Sequence, residues 1–492
     1  MKKIIELIKK KDIDIFALIT FFVTVMAFYR TLNPYDELWL FSYTYKMHLG
    51  YKLYNDLNVI VTPLFFWIGN LLFNIFKPNF LTFTFYGISI YVTILMLVYK
   101  LFKMLKVKRR RAIIYTIIIF FLIKDFITGG GYYNILVYIP IIITIMLLIR
   151  GWKNKYLLGA MCFITFIIKQ NIGIYFTIGV FLYELISKAN FKQKIKNITK
   201  IIFSFIVLLT GFLFILYKQN ILYNFINYCF LGIGEFGTSN FYLPIENLIK
   251  MIIFISMIAL NIFILNNKKI KIDNKIRNNA CIMLCIGAPL LLIAYPIFNS
   301  AHIIKSSIII VIEFIYILDA TFITELPINR KIEKRIYIGA IIAIMILMLI
   351  YIGILIYIDI GNNSNFDKNS PYYGILCGET IYKEINNICN YIKQENVKGI
   401  EVKVLSHKAN LYMIPLKKHN GDLDLPILGN LGKEGETGLI NKIKSLKNTK
   451  ILIQTNEEDI FWQESKNVRK YIQDNYTKEG TIEDFDIYYI DW

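Results

Sequence analysis

"VIVTPLFFWIGNLLFNIF", residues 59–76, is apolar enough to cross a membrane, and whether it does so decides the fold. The 492-residue chain is 56% hydrophobic. Further apolar runs lie near 13–29, 81–102, 112–127, 132–149, 156–168, 171–187, 201–217, 247–266, 279–298, 303–321 and 336–358. Runs of this kind are transmembrane candidates. Basic clusters at 1–12, 103–111, 150–155, 188–200, 267–277 and 329–335 together hold 28 Lys and Arg. If 59–76 crosses, the first cluster is cytoplasmic and the other 23 charges face outward, against the positive-inside rule. If it lies in the interface or dips and returns, all 28 face the cytoplasm. Pro63, Gly69 and Asn70 interrupt the segment, and Trp67 suits an interface. The reading is an α-helical polytopic membrane protein of about 11 spans, N-terminus inside and C-terminus outside.

The formal charge of +20 does not indicate nucleic acid, because of where it sits. Residues 1–358 carry 38 Lys and Arg against 15 Asp and Glu, while residues 359–492 carry 17 against 20. The surplus belongs to the membrane part, where it sets topology. The N-terminal "MKKIIELIKKKDIDIF" lacks a small-residue cleavage site after it and reads as a retained first span.

From 359 the composition changes. Residues 379–395 have helical periodicity, "IEVKVLS" and "KILIQT" read as strands, and "GNNSNFDKNSP" reads as the tether. This predicts a small soluble α/β extracytoplasmic domain over 359–492 beside a transmembrane domain over 1–358. "LGNLGKEGETG" is not a dinucleotide fingerprint and reads as a plain loop. Six cysteines show no metal-ligand spacing, and Cys281 and Cys285 read as packing. Cys377 and Cys389 fit either a bridge or two free thiols.

On this topology the unusual polar residues gather on the outer face. The first outer loop, 30–80, holds Asp36, Glu37 and Asp56. Leu38, Phe41, Tyr45 and Leu49 recur at helical spacing, which predicts an amphipathic helix on the membrane surface, started at Asp36 or Pro34. Asp36 fits an N-cap or a base, and Asp56 a turn or an organiser of the loop. A later loop, 218–246, holds Glu235, and "NSAH" ends at His302. Lys169, at a "KQN" break, and Lys305 fall near outer ends of spans. They either snorkel or serve a ligand.

A first span, an outer-face "DE", a helix ending in "HLGYKLYND" and then "TPLFFWIGNLLF" resemble the GT-C membrane glycosyltransferases. The likeness is closest to the protein O-mannosyltransferase and aminoarabinose transferase group, glycosyltransferase family 39. Asp36, Glu37, Gly50, Pro63, Leu64 and Trp67 carry it, with weaker support from "GAMCFITFIIKQNIG" and "YPIFNSAH". The resemblance implies an inverting transfer of sugar from a polyprenyl-phosphate-linked donor to an acceptor hydroxyl. Asp36 would be the general base and Glu37 would assist. It leaves the acceptor open among glycolipid, wall polymer and protein, at the cell membrane. The family often has a Lys just before its Pro-Pro-Leu, where this chain has Val61. Lys169, Lys305 and His302 are the candidates to replace it at the donor phosphate, with Asp56 and Glu235 as further substrate contacts. No cofactor and no metal site is specified. Two other readings compete: a transporter or flippase of a lipid-linked saccharide, and a noncatalytic scaffold.

Overall fold

In the computed structural model, helices dominate, as long unbroken runs of Ile, Leu and Phe require in a solvent that cannot bond to the backbone. The structure describes residues 12–28, 32, 36–128, 130–239, 241–267, 270, 272–323, 363–455 and 463–491, with a few single positions between 335 and 353. Apart from those single positions, the span read at 336–358 lies outside the described residues, as do residues 1–11.

Among the described residues, six helices are long and apolar enough to cross a membrane. They are Phe80–Met104, Tyr132–Ile149, Phe191–Lys218, Ile245–Asn266, Asn274–Ala294 and Ser300–Ile323. The protein is membrane-embedded. Ile13–Phe28, Leu64–Ile75, Lys155–Ile168 and Gln170–Ile186 are apolar but shorter. Leu64–Ile75, within residues 59–76, has 12 residues, starts directly after Pro63, and rises only ~18 Å against ~30 Å of hydrocarbon.

The chain forms two units. The first comprises Met1–Tyr29, Gly87–Gly211 and Tyr242–Tyr357. In it, Lys155–Ile168 and Gln170–Ile186 fold back on each other about Lys169, whose backbone is extended (φ −155, ψ 113). A Cβ on Gly173 would sit 2.3 Å from the Phe166 Cα, so the hairpin closes only with glycine there. The same device joins the hairpin to its neighbours. Gly159 lies against the Ile201 carbonyl, and Gly179 against Cys285 and Ile286. Small residues let helix backbones approach where apolar burial gives no drive. The two membrane solvents are visible in burial. Tyr132–Ile149 is 72% buried in protein, whereas Phe191–Lys218 and Ile245–Asn266 are 11% and 17% buried and present Phe203, Val207, Ile252 and Ile253 outward. The last two helices leave most of their apolar surface uncovered by the described protein.

Charges tie one end of this bundle. Arg109 meets Asp14 at 2.6 Å, Arg111 meets Asp319 at 3.0 Å, and Lys155 pairs with Glu184. These acids and bases sit at the helix ends where the basic clusters begin.

The second unit comprises Arg30–Tyr86, Phe212–Phe241 and Ile358–Trp492. Among its described residues is a four-stranded sheet, ordered in space Glu401–Leu405, Thr449–Gln454, Phe485–Ile490, Thr477–Ile482. β3 (Glu401–Leu405) runs parallel to β4 (Thr449–Gln454), and β5 (Thr477–Ile482) and β6 (Phe485–Ile490) complete it antiparallel. Two short strands, β1 (Asn363–Asn365) and β2 (Leu376–Gly378), pair separately. The strands expected from "IEVKVLS" and "KILIQT" and the helix Glu379–Val397 are present. Leu405, Ile451, Ile453, Leu439, Val468 and Ile472 form the core of the α/β part. Cys377 and Cys389 are both free thiols and buried.

The helix Asp36–His48 starts as expected but is not one-sided. Every residue from Glu37 to Lys46 except Trp39 is buried. The reason is its partners: Lys46 Nζ reaches Asp424 at 2.6 Å and Asn410 at 2.7 Å, and Ser42 bonds Asn410 at 2.5 Å. Polar side chains that look like a solvent face are satisfied by the C-terminal segment instead. Burial pulls the Lys46 ammonium below its usual range, and the Asp424 carboxylate pushes it back.

Candidate functional site

In the first unit, three polar residues converge from three elements. Lys169 is presented by the hairpin apex, where the helix break turns its side chain inward. Its ammonium lies 2.5 Å from the Asn134 amide oxygen and 4.4 Å from the centre of the Tyr133 ring. Asn134 comes from the short helix Tyr132–Leu136, which follows the glycine turn "TGGGYYN". Lys305, in the helix Ser300–Leu318, approaches the same oxygen at 3.3 Å. The Tyr138 hydroxyl donates to the Lys305 carbonyl and holds that turn of helix. Lys169 is 8% exposed and Lys305 1%.

His302 stands one turn before Lys305. Asn299 caps the helix by accepting from the His302 N–H at 2.9 Å, and its oxygen also lies 2.8 Å from His302 Nδ1. A further lysine gathers nearby. Lys250, from the start of Ile245–Asn266, donates to Asn247 at 3.0 Å and to Ser300, the first residue of the His302 helix. This group lies at the opposite helix ends from the Arg109–Asp14 and Arg111–Asp319 pairs. Two ammonium groups on one neutral amide oxygen, with an imidazole beside them, suit an anion with several oxygens, such as a phosphate.

The acidic candidates belong to the second unit. Asp36 is the first residue of its helix and is exposed, and the Trp39 indole N–H donates to it at 3.3 Å. Glu37, next to it, is fully buried. Asp56 accepts the Lys52 N–H at 2.7 Å while its own N–H bonds the Lys52 carbonyl at 3.0 Å, so it closes the 52–56 turn. Glu235 falls in the helix Ile233–Ser239, and its side chain is outside the described residues. Val61, where the resembling family offers Lys, is buried, and its carbonyl accepts from the Tyr54 hydroxyl at 2.9 Å.

Asn134 and Lys250 were not singled out from sequence. Asn134 carried one signal, a lone amide opening an apolar run after three glycines. Lys250 carried a similar one, a lone cation within the apolar run 247–266. Among the described residues, no group of three His, Cys, Asp or Glu side chains is placed to hold a metal ion. No protein-family model, no curated protein and no solved structure matches the chain.

Proposed function

We propose that the protein is a membrane glycosyltransferase that moves a sugar from a polyprenyl-phosphate donor to a hydroxyl of an extracytoplasmic acceptor. The observation that carries this reading is the meeting of Lys169 and Lys305 on Asn134, beside His302. It gathers two buried cations at the bundle end away from the basic clusters, a charge arrangement that suits a lipid phosphate. That end is the outer face if the chain crosses eleven times with its N-terminus inside, the arrangement that puts every basic cluster in the cytoplasm.

In the reaction, the acceptor oxygen attacks the anomeric carbon as the bond to the phosphate oxygen breaks. One displacement inverts the configuration. The acceptor proton passes to a general base, the role that the family resemblance gives to Asp36, and the lipid phosphate departs with the bonding pair. Exposure of Asp36 at a helix start leaves it accessible to a hydroxyl. Lys169 and Lys305 stabilise the charge that grows on the leaving phosphate. The departing group is already a good one, so no acid catalyst is demanded.

The test is direct. Purified protein incubated with polyprenyl-phosphate sugars should release polyprenyl phosphate from one of them, faster with an acceptor present. Absence of turnover across donors, with binding intact, would favour the second reading, a lipid-saccharide transporter. One feature supports that alternative: Glu313, deep in the helix Ser300–Leu318, is fully buried and receives a hydrogen bond from Asn261.

A further inference from the structure

The glycine-rich loop has a built partner. Gly429, Gly432 and Gly435 all have positive φ (85, 73 and 55), a conformation that glycine adopts at no steric cost. A Cβ on Gly432 would lie 2.5 Å from the Asn227 amide nitrogen, and one on Gly429 would lie 2.4 Å from the Phe236 Cβ. The loop is therefore pressed onto the segment 227–236, and the Lys433 N–H donates to the Asn227 side chain at 2.9 Å. Residues Asn227–Leu231 form one turn of π-helix, a local distortion that often accompanies function. All of these residues belong to the second unit.

A cleft of about 550 Å³ opens where the two segments meet. That is within the range of ~300–1,000 Å³ seen for small-molecule sites. Its chemistry is mixed. Tyr223, 79% exposed, offers a flat ring at the mouth, and Leu431 and Leu439 add apolar wall. Asn227 and Glu434 offer hydrogen bonds of both kinds, and Lys433 and Lys442 are the cations among the described lining residues. The cleft also borders the first turn of the helix Gly435–Lys444, whose dipole favours negative charge.

We infer that this cleft binds an anionic saccharide, a sugar carrying phosphate or carboxylate. An aromatic face takes the C–H side of a sugar ring, amide and carboxylate take its hydroxyls, and the lysines take the anionic group. A neutral sugar would not draw on the positive charge of Lys433 and the helix start, and a bare anion would leave the ring unused. The inference does not rest on the transfer reaction, because binding can be read without turnover.

The experiment is ligand-observed NMR on the full chain in detergent, with glucose 6-phosphate, glucuronate, glucose and inorganic phosphate each titrated to about 10 mM. Glucose 6-phosphate or glucuronate should bind at least ~10-fold more tightly than glucose and than phosphate alone, and which of the two is preferred identifies the anionic group. Tyr223→Ala and the pair Lys433→Met with Lys442→Met should each weaken that binding by roughly 5- to 10-fold. Glu434→Gln should strengthen it, an outcome that misfolding cannot imitate. Lys305→Met should leave it unchanged, which separates this cleft from the proposed donor site. Equal binding of glucose, equal binding of bare phosphate, no saturable binding, or indifference to the cleft variants would each overturn the inference. So would a loss seen only with Lys305→Met.

Discussion

Lys46 and Asp424 meet at 2.6 Å with both side chains fully buried, 378 positions apart in sequence. The Asp424 carboxylate also accepts the Asn420 N–H at 2.8 Å, and Asn410 bonds both the Lys46 ammonium and the Asp424 carbonyl. Removing one partner leaves the other charge buried and uncompensated, at a cost of ~3–5 kcal/mol. Lys46→Met should therefore lower the melting temperature of the solubilised protein sharply and open the C-terminal segment to protease. The double variant Lys46→Met with Asp424→Leu should recover most of the loss, since a well-packed apolar pair can replace a buried ion pair. A double variant no better than the single one would show that the pair does more than fill and neutralise the site.

Asp36→Asn keeps the size of the side chain and its acceptor for the Trp39 indole, and removes only basicity. If Asp36 takes the acceptor proton, transfer should fall by ~10²-fold or more with donor binding unchanged. A folded variant with near-normal turnover would return Asp36 to the role of a first-turn helix acid.

What sequence revealed and what it hid divide along physical lines. The break at Lys169 and the start at Asp36 were legible, because a polar interruption of an apolar run and an acid after proline are local signals. The gathering of Lys169, Lys305 and His302 was legible in part. Cations near hydrocarbon are costly, so the few that occur suggest a common use. Asn134 was not legible as their meeting point, since a neutral amide bears no such cost. The helix Asp36–His48 was misread as one-sided because Ser42, Thr44 and Lys46 look like a wet face. Asn410 and Asp424 come from so far along the chain that no periodicity announces them. The packing of the glycine loop against Asn227 is hidden for the same reason, as Asn227 lies about two hundred residues earlier.

Glu384 gives a pH signature in the second unit. Burial raises its carboxyl above the ordinary 4.5, and the Tyr412 hydroxyl, bonded to it, partly opposes that. Between 4.5 and the raised value the folded state binds more protons than the unfolded one, so stability falls as pH rises through that window. Glu384→Gln, neutral throughout, should be more stable relative to wild type at about pH 7 than at about pH 4, read as a melting-temperature difference. A difference that does not change with pH would mean that Glu384 ionises alike in both states.

Orientation can be checked with single cysteines at exposed positions in a background freed of accessible native thiols. Lys108→Cys lies in a basic cluster and should react with an impermeant maleimide only after the membrane is opened. Lys368→Cys, in the stretch after 359 that the sequence assigns to the outside, should react in intact cells. Labelling of the first from outside would mean that residues 59–76 cross, and would invert the proposed outer face.

The proposed donor site makes the most demanding prediction, because its parts can be removed separately. Lys305→Met and Lys169→Met keep much of the apolar stem and delete the charge. Each should weaken binding of a polyprenyl-phosphate sugar by about 10- to 100-fold, the loss of one charge-assisted contact worth roughly 1.5–3 kcal/mol. Asn134 tests the geometry. It accepts from Lys169 at 2.5 Å and from Lys305 at 3.3 Å, so it holds both ammonium groups where one phosphate can reach them. Asn134→Asp keeps the shape but places a carboxylate between the lysines, where it competes with the phosphate for them. Donor binding should then fall at least as far as in either lysine variant, while fold stability rises or holds. Asn134→Leu should instead destabilise the bundle, because it removes an acceptor that both lysines share. Unchanged donor binding in Asn134→Asp and in both lysine variants would move the phosphate site elsewhere, with Lys250 as the next residue to remove.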